Sequence, residues 1–199
     1  MPHDDRHGCD MLRLEIRALS PARLGDYLRF FETRAFTDNP RWARCYCFFP
    51  YHDPKTMDWE QRSASENREA ICGCIGAGTA QGYLAYRDGE VIGWCNAAPR
   101  ALYRVLGAEP APDADATGAI FCFVVAPEQR GQGVATTLLQ AACDGLRGQG
   151  LRWVQARPLR HASGPAANHL GPLAMYLAAG FAIMGEDSQG NVFMRRSLA

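Results

Sequence analysis

A glycine-containing loop between a buried strand and a helix is the part of this sequence best suited to bind an anion. Residues 119–126 have the length and composition of a central strand, and a helix is predicted over residues 132–147. Unpaired backbone N–H groups and the positive end of the helix dipole meet where such a loop enters its helix. Gly131 and Gly133 would let a pyrophosphate approach the backbone, and Arg130 adds a positive charge.

The loop alone could be a plain tight turn, because a short glycine motif is weak evidence for binding. Arg130, Gly133 and Ala135 nevertheless resemble the acyl-CoA signature of the GNAT superfamily of N-acetyltransferases, Arg/Gln-x-x-Gly-x-Gly/Ala. The resemblance implies acetyl-CoA as co-substrate, held by backbone N–H groups of the loop and by main-chain groups of the preceding strand. The cofactor-binding residues implied are Phe123, Val124, Val125, Arg130, Gly131, Gln132, Gly133, Val134, Ala135 and Thr136.

Residues 171–181 resemble a second signature of that family, a short helix that carries a tyrosine and ends in Gly-Phe. The resemblance implies that Tyr176 donates a proton to the departing CoA thiolate, a role that suits a phenol because it stays protonated near neutral pH. The alternative is a half-buried tyrosine with its hydroxyl in water. Many members place an asparagine seven residues before the tyrosine. Here His169 holds that place and Asn168 precedes it. We predict that Asn168 contacts the cofactor, and His169 is the alternative contact.

The group that takes the proton from the acceptor amine is not evident in the sequence. Residues 119–122, at the centre of the predicted sheet, contain no carboxylate. The candidates from loops are His52, Asp53, Asp115, His161 and His169. Cys122 could carry an acyl group, but a strand cysteine among Phe and Val more often packs in the core.

An aromatic segment, residues 38–57, is predicted to be irregular because its three prolines forbid a continuous helix or a central strand. We hypothesise that its aromatic side chains wall the acceptor pocket; a small satellite core is the alternative. Those side chains are Trp42, Tyr46, Phe48, Phe49 and Tyr51. The pairs Cys45/Cys47 and Cys72/Cys74 suggest zinc, but structural zinc sites space paired cysteines more widely. We therefore predict no metal ligands.

The remaining pattern predicts alternating strands and helices. Alternation of polar and apolar residues predicts a strand around Ile16, and Ser20-Pro21 begins a helix that extends to Phe36. A second helix is predicted over residues 58–75, and an Asp-Gly turn joins strands at 82–86 and 91–95. Residues 97–118 are predicted to be irregular. The later elements are a strand at 151–156, a helix at 172–179 and strands at 181–184 and 192–195.

Composition places the chain among ordinary globular proteins. Hydrophobic residues make up 47% of the 199 residues, and 21 basic residues balance 21 acidic ones, so the sequence carries no basic surplus for nucleic acid or anionic lipid. We expect residues 1–10 to be a flexible leader and residues 11–199 to form a single domain. The polar start, the lack of a long apolar run and cysteines within apolar runs favour a cytoplasmic protein.

Together with the resemblance, these patterns predict an α/β fold with a GNAT-type mixed, mostly antiparallel central sheet, splayed at its middle, with helices on both faces. A narrower resemblance, in residues 84–100 and 122–125, is to a bacterial subgroup of mostly unassigned substrate. The implied reaction is transfer of an acetyl group from acetyl-CoA to a primary amine, by direct attack, with a small-molecule acceptor preferred. The alternatives are a protein N-terminal or lysine acetyltransferase, and a non-catalytic acyl-CoA-binding or metal/thiol-responsive module. Family members are often dimers, which leaves a homodimer open.

Overall fold

The computed structural model describes residues 14–107, 113–162, 164 and 166–199. A seven-stranded sheet runs through this part of the chain in the order β1-β2-β3-β4-β5-β7-β6. Only the β4–β5 pair is parallel. The strands are β1 (Glu15–Ala18), β2 (Gly82–Arg87), β3 (Glu90–Pro99), β4 (Thr117–Val125), β5 (Trp153–Ala156), β6 (Ala182–Glu186) and β7 (Val192–Ser197).

Helices cover both faces of the sheet, and each face has its own hydrophobic core. The helices are α1 (Leu24–Thr33), α2 (Ala64–Gly76), α3 (Val134–Gly148) and α4 (Leu173–Ala178). On one face, Tyr27 and Phe30 of α1 pack with Ile71 of α2 against Trp94 of β3. On the other face, Leu138 and other apolar residues of α3 pack against β3 and β4, together with Tyr176 of α4. The predicted mixed, mostly antiparallel sheet with helices on both faces is therefore confirmed.

The β2–β3 hairpin forms where the Asp-Gly turn predicts it. Asp88 and Gly89 both have positive φ, 53° and 78°, which is the backbone that a two-residue turn of this twist requires. Other boundaries differ from the prediction. Residues 97–118 are not wholly irregular, because β3 continues to Pro99 and β4 begins at Thr117. Helix α1 ends at Thr33, three residues before the predicted end at Phe36.

The sheet opens between β4 and β5. Their pairing consists of Thr117 with Trp153, Gly118 with Val154 and Ala119 with Gln155. Strand β4 then continues to Val125 with β3 as its neighbour on the other side, while β5 ends at Ala156. The splayed centre of the predicted sheet is this opening, and it exposes one edge of β4 to a ligand.

The predicted leader, residues 1–10, lies outside the described residues, and the extent of the single domain stays a prediction. Among the described residues, no helix combines the length and apolar character needed to cross a lipid bilayer.

Candidate active site

A cavity of about 1360 Å³ occupies the opening of the sheet. Residues 119–125 of β4 form one wall, and the loop at the start of α3 forms one end. Residues 155–157 at the end of β5 and residues 168–170 before α4 form the opposite side. Segments between α1 and α2 close the cavity toward the first hydrophobic core. One continuous space therefore joins the predicted anion loop to the aromatic segment.

The loop before α3 has the backbone geometry of an anion site. Gly131 and Gly133 have φ of 73° and 79°, and a Cβ atom at either position would meet no atom within 4 Å. Gly133 caps α3, whose first backbone N–H groups lack partners within the helix. Gly131 and residues 133–136 line the cavity. The open space, the left-handed glycines and the unpaired N–H groups fit a pyrophosphate.

Arg130 is held at the rim of this loop by two partners. Its Nε donates to the Val125 carbonyl oxygen at 3.1 Å, and its guanidinium pairs with the Asp38 carboxylate at 2.5 and 3.2 Å. The hydrogen bond from Arg130 also lowers the pKa of Asp38 below its ordinary 3.8. Arg130 thus joins the end of β4 to the segment after α1, and its charge is shared with Asp38.

The cofactor-binding residues predicted from the sequence lie around this cavity, with one exception among them. Gln132 is not part of the described wall: its side chain accepts from Arg87 at 2.7 Å and donates to the Glu128 carbonyl oxygen at 3.0 Å. Asn168 and His169 both line the cavity, and the His169 ring lies edge-on to Trp42 at 4.8 Å. The geometry therefore does not choose between Asn168 and His169.

Tyr176 lies on α4 behind the cavity wall. Its side chain is 0% exposed, and its hydroxyl donates to the Leu170 carbonyl oxygen at 2.8 Å. Burial raises the pKa of Tyr176 well above its ordinary 10.0. Its helix neighbour Met175 is part of the described wall, whereas Tyr176 is not. To reach a leaving group in the cavity, the hydroxyl would have to exchange its bond to Leu170, so its role as proton donor stays a prediction.

The aromatic segment divides between the cavity and the core. Trp42 and Phe49 line the cavity, as does Trp59 further along the chain. Tyr46, Phe48 and Tyr51 instead pack in the first hydrophobic core. The hypothesised pocket wall and its alternative, a satellite core, therefore each describe part of the segment.

The loop residues considered as bases occupy different places. His169 is the one of the five that belongs to the described cavity wall. His52 is buried, with Nδ1 at 2.6 Å from the Phe49 carbonyl oxygen. Asp53 lies 3.5 Å from Arg104. Asp115 and His161 lie outside the described wall.

Three cysteines meet in the cavity wall, a feature that the sequence analysis did not bring together. Cys45, Cys47 and Cys122, here called the cysteine cluster, all line the cavity, and all three are free thiols. Cys47 follows Tyr46 in a left-handed stretch, with φ of 51° and 44°. Among the described residues, no group of three or more His, Cys, Asp or Glu side chains is arranged to hold a metal ion.

The far side of the cavity also contains polar residues that sequence reasoning missed. Arg157 follows β5, and Asp187, Gln189 and Asn191 lie in the β6–β7 turn. Asp187 accepts from the backbone N–H groups of Gln189 and Asn191 at 2.9 and 3.0 Å. The bonds of Asp187 are local to its turn, but the packing of the fold brings this turn to the cavity, so spacing along the chain carries no signal for its place in the wall.

Comparison with known proteins identifies the family. The profile described as the acetyltransferase (GNAT) family matches residues 36–171, more than half of the chain and all of the anion loop. The chain belongs to the GNAT family. As a GNAT enzyme it is an acetyl-CoA-dependent acyltransferase, and the prediction from its sequence motifs is confirmed. A search of curated protein sequences gave no significant match.

Solved structures similar to this GNAT enzyme share its fold. An N-acetyltransferase from Staphylococcus aureus Mu50 aligns with a TM-score of 0.57 at 16% identity, over 94% of this chain and 99% of its own. The aminoglycoside acetyltransferase AAC(6')-Ib in complex with coenzyme A gives 0.59 at 17% identity, over 93% and 95%. A putative acetyltransferase from Salmonella typhimurium with acetyl-CoA gives 0.52 at 15% identity, over 94% of both chains. At these identities the likeness supports the fold, and the acceptor must be argued from the cavity.

Proposed function

We propose that this GNAT enzyme transfers the acetyl group of acetyl-CoA to a primary amine of a small molecule by direct attack on the thioester. The observation that carries the proposal is the continuity of the cavity. One space of about 1360 Å³ joins the anion loop at the start of α3 to a wall formed by Trp42, Phe49 and Trp59. A two-substrate reaction needs both substrates in one enclosed site, because holding them together removes much of the entropic barrier.

The main chain supplies the proposed contacts to acetyl-CoA. Backbone N–H groups of residues 131–136 would hold the pyrophosphate at the start of α3. The edge of β4 at residues 123–125, which has no strand beside it on the cavity side, would bind the pantetheine arm and the thioester. Asn168 would contact the arm from the opposite wall. Tyr176 would protonate the departing CoA thiolate once its hydroxyl leaves Leu170.

The partly aromatic walls of the acceptor region favour a small amine over a protein side chain. Phe49 contacts Trp59 edge-on at 5.0 Å and Phe121 of β4 at 6.1 Å, so aromatic rings connect the loop to the central strand. A pocket with such walls surrounds a small ligand, whereas a peptide substrate would need an open groove. The free cysteines of the described chain further support a cytoplasmic location.

The decisive experiment is calorimetric and thermal-shift binding of acetyl-CoA to the parent protein and to two glycine variants. Gly133→Glu places a carboxylate in the anion loop. Gly150→Glu is the matched control, because Gly150 has φ of 84° and open space around its Cβ position but lies outside the cavity wall. Both variants suffer the same backbone strain, and only the first one should lose the ligand.

We expect acetyl-CoA to raise the melting temperature of the parent and of Gly150→Glu, because a ligand that binds only the folded state stabilises it. The dissociation constant of Gly133→Glu should rise by about a hundredfold or more, as for the loss of a charge-assisted contact. A panel of small primary amines and lysine peptides would then identify the acceptor class. Equal binding by all three proteins would place acetyl-CoA elsewhere, and turnover of peptides alone would contradict a small acceptor.

A further inference from the structure

The cysteine cluster lies against the centre of the sheet, next to the part of β4 assigned to the thioester. Cys122 directly precedes Phe123, and its thiol, which lies 3.8 Å from the Phe123 carbonyl oxygen, is a neighbour of the Cys47 sulfur. Cys47 comes from the loop between α1 and α2, yet its side chain is only 3% exposed and faces the cavity. The fold therefore places the Cys47 sulfur at the junction of the proposed acetyl and acceptor regions.

The backbone around Cys47 is held in place by two side chains from the core. Tyr27 donates to the Tyr46 carbonyl oxygen at 2.6 Å, and Asn96 donates from Nδ2 to the Cys47 carbonyl oxygen at 3.2 Å. Two consecutive left-handed residues other than glycine are costly, and such strain persists only where the surroundings enforce it. These bonds fix the direction in which the Cys47 thiol points.

Hydrogen-bond donors converge on the Cys47 sulfur. Asn96 Nδ2 lies 3.6 Å from it, and Asn96 is itself oriented because its Oδ1 accepts from Tyr51 and Tyr103, each at 2.8 Å. The indole N–H of Trp94, 1% exposed, has no partner with good hydrogen-bond geometry among the described residues and lies beside the same sulfur. An unpaired buried donor is costly, and a negatively charged sulfur would supply its acceptor.

The charge state of Cys47 follows from these donors. Burial raises the pKa of the Cys47 thiol, but the neighbouring donor groups of Cys122, Asn96 and Trp94 outweigh burial and leave the pKa below its ordinary 9.0. Burial raises the pKa of Cys45 to about 12. The other titratable groups that face Cys47 all have raised pKa values, Cys122 through its bond to Cys47 and the rest through burial. They are Cys122, Cys95, Tyr27, Tyr51 and Tyr103.

The two carboxylates in the described cavity wall are weaker bases than usual. The bond from Arg130 lowers the pKa of Asp38. Bonds from Asn191 and the backbone lower the pKa of Asp187. A general base works best when its pKa is near the working pH, and a thiol whose pKa is lowered from 9.0 meets that condition better than carboxyl groups whose pKa is lowered from 3.8.

We propose that the Cys47 thiolate is the general base of the acetyl transfer. The inference rests on the proposed function and adds the residue that the sequence left unassigned. Cys47 takes one proton from the substrate ammonium and becomes a thiol. The neutral amine attacks the thioester carbonyl carbon, a C–N bond forms and the C–S bond of acetyl-CoA breaks. Tyr176 gives its proton to the leaving CoA thiolate and regains one from the attacking nitrogen, and Cys47 releases its proton to solvent.

A thiolate titration tests the charge state of Cys47 without any turnover. The ultraviolet absorbance of thiolate is followed against pH in the full-length parent protein, in Cys47→Ala and in Cys47→Ser. Cys45→Ala is the matched control, from the same loop and the same cavity wall. We expect one thiol to ionise below the others in the parent and in Cys45→Ala, and this step to vanish in both Cys47 variants. A step that survives Cys47→Ala overturns the proposal.

Kinetics with the best amine then test the base itself. Both Cys47 variants should bind acetyl-CoA with unchanged affinity but lose about a hundredfold or more in kcat/KM, with the rate now rising steadily with pH. Cys72→Ser, on α2 outside the described cavity wall, should behave as the parent. An unchanged pH dependence of kcat/KM in Cys47→Ala overturns the base assignment. The assignment is also overturned if the pH dependence is lost in His169→Gln and kept in both Cys47 variants. Acetyl-CoA binding that is absent from the parent would instead refute the proposed function.

Mass spectrometry separates a base from a nucleophile at the same position. The parent protein is incubated with acetyl-CoA without amine, and the peptide that contains Cys47 is examined for an added acetyl group. A general base leaves this peptide unmodified. A stoichiometric acetyl adduct on Cys47 that an amine discharges would overturn the base role in favour of a covalent acyl carrier.

Discussion

The hydroxyl of Tyr176 is engaged in a structural hydrogen bond to the Leu170 carbonyl oxygen. The bond to Leu170 links α4 to the segment that contains Asn168 and His169, so the phenol helps to hold one wall of the cavity. Burial raises the pKa of this phenol, which weakens it as an acid until solvent or a nascent anion reaches it. A catalytic role therefore requires a local rearrangement on ligand binding.

Substitution of Tyr176 by Phe separates the two roles of this residue. The lost hydrogen bond should lower the free energy of unfolding by about 1 kcal/mol, because the Leu170 carbonyl loses its donor. If the phenol also protonates the CoA thiolate, kcat should fall by about a hundredfold or more while acetyl-CoA affinity is kept. Denaturant unfolding and steady-state kinetics measure the two effects. A stability loss with unchanged kcat would leave Tyr176 with the structural role alone.

The first turn of α2 is stabilised by side-chain hydrogen bonds and contacts the loop that forms part of the acceptor region. Ser63 accepts from the Glu66 backbone N–H at 3.2 Å, and the Glu66 carboxylate accepts from the Ser63 backbone and hydroxyl, both at 2.7 Å. Asn67 in the same turn donates to the Arg44 carbonyl oxygen at 2.9 Å. The capping box therefore fixes the start of α2, and Asn67 connects that turn to the loop that leads into the cysteine cluster.

Ser63→Ala should lower the free energy of unfolding by about 1 kcal/mol, the usual cost of losing an N-cap side chain. Ser65→Ala is the matched control, because Ser65 is exposed in the same turn and is not the cap. The bonds from Ser63 lower the pKa of Glu66 below its ordinary 4.5. Because the pKa of Glu66 is lower in the folded protein than in the unfolded chain, the ionised carboxylate stabilises the folded protein above about pH 4.5. This contribution is lost as the pH falls through the folded-state pKa.

The difference in stability between the parent and Ser63→Ala should therefore shrink below pH 4.5, as Glu66 becomes protonated in both proteins. Urea unfolding at neutral and acid pH measures it. A difference that is constant with pH would show that the Ser63 hydroxyl does not stabilise the ionised Glu66 carboxylate, and an equal loss in Ser65→Ala would show that the loss is not specific to the cap.

At the scale of the whole molecule, local signals predicted the elements and family signatures predicted the site. The Asp88–Gly89 turn and the glycines before α3 impose their conformations on their immediate neighbours, so short motifs suffice for them. The mixed, mostly antiparallel sheet and its splayed middle came from the resemblance rather than from periodicity. The cysteine cluster came from neither, because it joins Cys47 to Asn96 and Cys122 through tertiary packing. Contacts between residues so far apart in sequence leave no spacing to find.

The opening of the sheet suggests how a bound ligand would affect the motion of the whole molecule. The two parts of the sheet meet through only three residue pairs of β4 and β5. A ligand in the cavity would touch the anion loop on one side and the Asn168 segment on the other, so it should restrain both parts together. Amide exchange is slowed where local opening becomes less frequent.

Saturation with acetyl-CoA should therefore slow hydrogen exchange in residues 131–136 and in residues 168–175, and leave the β2–β3 hairpin turn unchanged. Mass-spectrometric exchange of the free and saturated parent protein measures all three regions in one experiment, and Gly133→Glu supplies the unbound control. Protection of the anion loop alone would mean that the ligand does not span the opening. The assignment of Asn168 would then be wrong, while the pyrophosphate site before α3 would stand.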